Sequence, residues 1–154
     1  MKCRDRANII ALLLDILFSR GGTAWAQQVY LKAGNTDDGD QFGTALSLSE
    51  DGNALAVGAI DEDSSAIGIE GIINNSTNDS GAVYVYTRNG VNIQQTHIEA
   101  SNTGVNDQFG VAISLSGDGK TLAVGAAYED SNAIGLNGDS SGNPLGAAGA
   151  VYLY

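Results

Sequence analysis

The chain has 154 residues, enough for about one domain, and a formal net charge of −11 at pH 7. A surface this acidic repels phosphate backbones, which excludes nucleic acid as an expected partner. One cysteine and one histidine exclude an intrachain disulfide and leave little for Ser–His or Cys–His catalysis. Abundant glycine and a single proline fit an all-β chain with many turns.

The N-terminal segment, residues 1–26, differs from the rest of the chain. Basic residues precede an apolar run at 7–18, and an Ala-x-Ala pattern at 24–26 precedes Gln27. This order predicts a secretory signal peptide, and the run is too short to predict a transmembrane helix. The alternative is a remnant of a preceding repeat, because residues 18–22 resemble 86–90. Both interpretations predict a secreted or cell-surface protein, extracellular or periplasmic.

Alternating apolar and small side chains predict strands over residues 42–49, 55–59, 81–87 and 93–100. Asp51-Gly52 and Asn89-Gly90 are hairpin signals between them. One unit is therefore four antiparallel strands. His97 lies on the fourth, outer strand, where the earlier matching segment has Tyr30, and we expect it at the surface.

A long segment then returns almost unchanged. Residues 40–59 recur as 107–126, so that Phe42 and Phe109 are 67 residues apart. A near-identical return at fixed spacing predicts a repeat architecture. Four-stranded units in series are the blades of a β-propeller, with a β-solenoid or a small sandwich as alternatives. Each sheet has one face of Leu and Val and one of Ala, Ser and Gly, so we expect sheets to stack and a lone sheet to be unstable.

The repeat boundaries divide residues 27–154 into a full blade at 42–100 and an incomplete blade at 109–154. Residues 24–33 resemble the fourth strand of an earlier blade. Two interpretations follow. The chain is a part of a longer array, or residues 25–33 complete the last blade, in this chain or in a neighbouring one. The expected structural partners are thus other blades of a longer chain or further copies in a homo-oligomer.

The repeated motif resembles the FG-GAP repeat, which forms blades of the integrin α-subunit propeller and of many bacterial surface proteins. The surrounding pieces resemble the bacterial branch. The resemblance implies a structural role for two matching sets of motif residues, which are Phe42, Gly43, Gly58 and Ala59, and Phe109, Gly110, Gly125 and Ala126. It also implies adhesion and ligand binding.

Calcium is the one cofactor for which the sequence offers ligands. Integrin-type blades often carry a calcium loop in the first hairpin, and Asp51 and Asp118 stand at its last carboxylate position. Serine occupies the other two carboxylate positions in each copy, so that each hairpin offers calcium a single carboxylate at these positions. The oxygen-rich starts of the long loops 60–80 and 127–148 are the second candidate; their carboxylates are Asp61, Glu62, Asp63, Glu129 and Asp130.

Long loops in repeat proteins often gather on one binding face. The sequence therefore predicts a non-catalytic module that binds a protein or glycan ligand through these loops. The alternatives are a calcium-dependent lectin-like propeller and an accessory domain of a hydrolase. The loop residues Ile67, Ile69, Ile134 and Leu136 are alternatively expected to turn inwards and cap the blades. Carboxylates that recur in both copies point to structure rather than to a single active site, so we expect no enzymatic activity.

Overall fold

The computed structural model of the chain describes residues 29–142 and 144–154. Residues Lys32–Tyr154 form one compact unit. The predicted signal peptide or repeat remnant at 1–26 lies outside the described residues. Residues 29–33, the described part of the predicted fourth strand of an earlier blade, are not in a strand.

The first sheet is a four-stranded antiparallel meander, with the strands side by side in chain order. Its strands are β1 (Phe42–Leu48), β2 (Ala54–Ala59), β3 (Ala82–Asn89) and β4 (Asn92–Ile98). The turn after β1 contains Gly52 at a φ of 67°, and the turn after β3 contains Gly90 at 63°. Glycine adopts these left-handed conformations without the steric cost that other residues pay, as the two hairpin signals predict.

The second sheet repeats the first three strands of this meander. Its strands are β5 (Phe109–Leu115), β6 (Leu122–Ala126) and β7 (Ala150–Leu153). The predicted fold class is confirmed: the described chain is all-β, with two antiparallel sheets of four and three strands that correspond to two blades of a partial propeller. Among the described residues, no helix is long and apolar enough to cross a membrane.

Each sheet begins with the same irregularity. The pairing of β1 with β2 shifts register between Phe42 and Leu46, and that of β5 with β6 shifts between Phe109 and Ala112. Gly43 and Gly110 lie inside these bulges at φ values of 101° and 96°. A glycine with positive φ is the usual way to place an extra residue in a strand. The Phe-Gly pair of the repeat therefore encodes a bulge.

The two sheets stack with the bulky face of the second against the small face of the first. Ile113 and Leu115 of β5 pack on the buried cluster that includes Ala56 and Val83 of the first sheet. Phe109 is fully buried in the same cluster. The predicted stacking of a large face on a small face is therefore confirmed.

Glycine makes the closest approach between the sheets possible. A methyl group on Gly58 would lie 2.5 Å from the carbonyl oxygen of Gly110, and one on Gly81 would lie 2.3 Å from that of Phe109. Hydrogen bonds between the two repeats accompany this close approach. The Phe109 amide donates to the Ser80 carbonyl at 2.9 Å, and the Leu115 amide donates to the Ser47 hydroxyl at 3.0 Å.

Candidate functional site

The two long loops leave the stacked sheets at the same end. One joins β2 to β3 and the other joins β6 to β7. At this end Phe109 bonds to Ser80, whereas at the other end the hairpin at Gly119 lies against Ala54. β5 lies on the first sheet and runs in the same direction as β1. The loops that join equivalent strands therefore lie at the same end of the two sheets. The predicted clustering of the loops agrees with this geometry.

Glu62, a predicted calcium ligand, is buried at the base of the first loop. Its Oε1 accepts a hydrogen bond from the Asn35 side chain at 2.8 Å. Its Oε2 lies 3.0 Å from the Tyr84 hydroxyl, which is also 2.7 Å from Asn35 Oδ1. The three side chains tie the segment before β1, the loop and β3 together.

The second copy rebuilds this arrangement with Asn102, Glu129 and Tyr152. Asn102 donates to Glu129 Oε1 at 2.6 Å, and the Tyr152 hydroxyl lies 2.6 Å from Asn102 Oδ1. The amide and hydroxyl of Ser131 also donate to the Glu129 carboxylate. Both glutamates thus serve the same structural purpose. The sequence signal for these residues is their return, the asparagines 67 residues later and the tyrosines 68 residues later, beside the more conspicuous acidic residues.

Asp63 and Asp130 hold the far ends of the loops. An Asp63 side-chain oxygen accepts the Asp79 amide at 2.9 Å, and an Asp130 oxygen accepts the Ala147 amide at 2.7 Å. Asp61 instead accepts a hydrogen bond from the Gln41 side-chain amide. The pKa of Asp79 is raised by partial burial and then by the charges of Asp61 and Asp63.

Asp51 and Asp118 stabilise the two equivalent hairpins. Asp51 accepts the Ser49 hydroxyl at 2.7 Å and the Asn53 amide at 2.9 Å, and Asp118 accepts the hydroxyl of Ser116. The Asn53 amide, followed by the Ser49 hydroxyl, lowers the pKa of Asp51 to about 2. Within the described residues, no group of three or more His, Cys, Asp or Glu side chains is placed to hold a metal ion.

Burial raises the pKa of two carboxylates, one in the first loop and one just before β5. It raises the pKa of Glu62 to about 7, although the Tyr84 hydroxyl acts in the opposite direction. Burial also raises the pKa of Asp107 to about 6. The pKa of the Tyr84 hydroxyl is raised, mainly by burial and further by Glu62. A protonated Glu62 can donate to Tyr84 while Tyr84 donates to Asn35, which satisfies the whole group without a buried charge.

His97 is buried, so the expectation of a surface position is wrong. Its ring packs on Tyr84, with centroids 5.0 Å apart, and its Nε2 lies 3.2 Å from Glu99 Oε1. The physical reason lies in the first loop, which crosses the end of β4. There the Glu70 amide donates to the His97 carbonyl, and the His97 amide donates back to the Glu70 carboxylate at 2.7 Å.

The loops also present apolar side chains to solvent. The expectation that four of them cap the blades is wrong, because all four are exposed; these are Ile67, Ile69, Ile134 and Leu136. Ile72 and Leu145 add to the exposed apolar surface of the same loops, with 88% of Ile72 accessible. The buried Asn–Glu–Tyr groups close the sheet ends, which leaves these side chains outside.

These features define a class of protein: stacked antiparallel sheets of propeller-blade type, with a repeated polar group that fixes long loops at one end. A family model described as FG-GAP repeat matches the chain twice, at residues 25–86 and 93–154. The matches cover most of the chain, so the protein belongs to the FG-GAP repeat family. Comparisons with curated proteins and with solved structures gave no match.

Proposed function

We propose that the protein is a non-catalytic binding module outside the cell or at its surface, with the two long loops as its contact face for a protein ligand. The exposed apolar side chains of these loops carry the proposal. Exposed apolar clusters on a soluble protein typically mark contact sites for other proteins. This chemistry favours a protein over a glycan as the ligand.

The repeated carboxylates support a non-catalytic role. Glu62 and Glu129 are buried and have asparagine partners in equivalent positions. A general acid or base must reach a substrate proton within hydrogen-bond distance. Two copies of one internally satisfied arrangement fit loop anchoring better than a single active site, which also argues against a hydrolase accessory role that needs these carboxylates.

The binding face is tested with aspartate substitutions in both loops. Labelled full-length chain is applied to an array of extracellular proteins and, separately, to a glycan array. We expect protein binding that Ile72→Asp and Leu136→Asp each reduce about tenfold or more, because a charge in an apolar contact is poorly solvated.

Val91→Asp is the matched control. Val91 is 97% exposed and follows Gly90 in the β3–β4 turn, at the opposite end of the first sheet. This variant should bind as the unmodified chain does. Binding to glycans alone, or equal losses in all three variants, would contradict the loop face as a protein contact.

The calcium-dependent lectin-like alternative stays a prediction. It now depends on Asp61 and Asp63, which are partly exposed, since Glu62 and Glu129 are buried. Ligand binding to the native state raises the melting temperature by mass action. A rise with calcium that Asp61→Asn removes would support it, and the same melting curve in calcium and in chelator would contradict it.

Export rests on the sequence of residues 1–26. We propose that this segment directs secretion and is removed before Gln27. N-terminal sequencing of secreted protein should therefore begin near Gln27. Secreted material that retains Met1 would favour the interpretation of residues 1–26 as part of a preceding repeat.

A further inference from the structure

The two sheets leave opposite faces uncovered in the described chain. The first sheet exposes the bulky face of β1, where Leu46 is 67% accessible. The second sheet exposes its small face, where Val151 is 74% accessible. An open apolar depression lies on this second face and includes Gly125 and Ala150. These are the two kinds of face that pack together inside the chain.

Equivalent residues show what is absent from each open face. Val83, the counterpart of Val151, is fully buried beneath β5. Ile113, the counterpart of Leu46, is half-buried against the first sheet. Leu46 and Val151 are therefore exposed because no sheet packs on their faces, whereas a neighbouring sheet covers their counterparts Ile113 and Val83.

We propose that the open face of the second sheet binds the first sheet of a second copy of this chain, head to tail, with β1 of that copy stacked on it as β5 stacks on the first sheet. A contact of this kind joins two different surfaces, so it generates a closed ring or an open array. Propellers of about four to eight blades would correspond to rings of two to four chains.

The backbone of the open face already has the shape of the occupied one. Asp79 and Ala147 occupy equivalent positions before β3 and β7, with φ values of 50° and 55°. The carbonyl of Asp79 accepts the Gln108 amide at 3.1 Å. Ala147 offers the equivalent carbonyl to Gln41 of a second copy, and Gln41 has the φ of 52° that matches 53° in Gln108.

The open face of the second sheet also has space for the β1 bulge of a docked copy. Gly58 admits the Gly110 carbonyl, which a methyl group at Gly58 would approach to 2.5 Å. Gly125 stands at the equivalent position, and a methyl group there would meet only Ala112, at 3.4 Å. A docked copy would place its Gly43 carbonyl over Gly125.

The family repeat and the charges favour a second copy as the occupant. Each family match begins well before the inner strands of its sheet, at residues 25 and 93, and the second match starts within β4, which lies in the first sheet. By the same rule, residues 29–33 of a docked copy, which form no strand within their own chain, would lie beside β7. Lys32 of that copy would take the place of Glu99, which carries a like charge towards Glu62, and would face Glu129 with an opposite charge.

The test measures the mass of the full-length chain by light scattering over a range of concentrations. We expect a mass above that of the monomer. Leu46→Asp removes one face and Val151→Asp removes the other, so each should weaken self-association about tenfold or more. Gly125→Ala should do the same through its methyl group, with the fold unchanged because the site has room for it.

Mixing the variants separates this head-to-tail contact from a symmetric one. Leu46→Asp keeps an intact second-sheet face, and Val151→Asp keeps an intact β1 face. Their mixture should form a one-to-one dimer that cannot grow, because both remaining ends carry a charge. Dimer formation also shows that both variants are folded.

Val91→Asp is again the control and should associate as the unmodified chain does. The proposal is overturned if the unmodified chain is folded by circular dichroism yet monomeric at every concentration, which would mean that another partner covers these faces. It is also overturned if the mixed variants stay monomeric. Neither result bears on the loop face, whose test measures binding at Ile72 and Leu136.

Discussion

Glu62 illustrates how a single buried side chain can organise a loop and still lower stability at neutral pH. Its carboxyl group joins Asn35 and Tyr84 at the base of the first loop. Burying an ionised carboxylate without a cationic partner is costly. The site therefore favours the protonated form, which explains the direction of the pKa change.

The pH dependence of stability follows from this residue. The pKa of Glu62 is about 7 in the folded chain, against an ordinary value of 4.5. Between these values the folded state holds a proton that the unfolded state has lost, so the free energy of unfolding falls as pH rises. Asp107, with a pKa raised from 3.8 to about 6, acts in the same direction. Urea denaturation should therefore show greater stability at pH 5 than at pH 8.

Glu62→Gln isolates this contribution. The amide oxygen can accept from Asn35 and the amide nitrogen can donate to Tyr84, without a titrating charge. At pH 8 we expect the variant to be more stable than the unmodified chain by roughly 3 kcal/mol, from a pKa that rises from 4.5 to about 7 at about 1.4 kcal/mol per unit, and at pH 5 by less than about 1 kcal/mol. The exposed Glu50→Gln is the control. An unchanged pH profile in Glu62→Gln would assign the effect to other groups.

At the scale of single residues, the sequence indicates which positions are important better than it indicates what each side chain does. Glu62 and Glu129 stand out by their recurrence, but their partners Asn35 and Asn102 lie 27 residues away. Only the folded chain brings the two segments together. The surface position expected for His97 fails because nothing in its own strand indicates that residues 68–70 cross it.

At the scale of the elements, the contact between the two stacked sheets depends on the absence of a side chain at Gly58. Gly58→Ala would force a methyl group to within 2.5 Å of the Gly110 carbonyl. We expect a loss of about 1–3 kcal/mol, the usual cost of overpacking. Gly125→Ala should be neutral or stabilising by up to about 1 kcal/mol. The folded state has room for the methyl group, and alanine makes the unfolded chain less flexible than glycine does.

Urea denaturation of both variants in a Leu46→Asp background measures this difference without a contribution from self-association. The two glycines occupy equivalent strand positions and neither has a positive φ. Any difference between them therefore reports the neighbouring sheet. Equal effects would contradict the stacking.

The repeated phenylalanines provide a second comparison between the sheets. Phe109 is fully buried, with its ring centroid 5.3 Å from that of Tyr152, whereas Phe42 is half-buried beside Tyr84. Phe109→Ala should cost about 3–5 kcal/mol in unfolding free energy. Phe42→Ala should cost clearly less, and a larger loss at Phe42 would show that the two sheets are buried differently from this description.

Strands and turns follow from the sequence because their signals are local. Alternation, Asp-Gly and Asn-Gly place the four strands of the first sheet within a few residues of their observed ends, and the repeat predicts the three strands of the second sheet. The loops lack such signals. Their course depends on carboxylates that cap distant amides, as Asp63 does for Asp79, so that the inward turn expected for Ile67 and Ile134 fails.

At the scale of the whole molecule, stability is shared between the sheets. Val83 and Ala56 of the first sheet are buried with Phe109 and Val124 of the second in one cluster. Repeat units of this kind gain much of their stability from the interface with the next unit. Separating the sheets would expose that cluster on both sides.

We therefore expect the chain to unfold in one transition and the isolated first sheet, residues 29–100, to be unfolded. Urea curves followed by circular dichroism and by tyrosine fluorescence should coincide for the full chain. Tyrosines on both sheets, such as Tyr84 and Tyr152, make fluorescence sensitive to either one. Two separate transitions, or a cooperative melt of the 29–100 fragment, would show that each sheet folds alone. The interface would then only fix the arrangement of two stable sheets, and their folding would not depend on it.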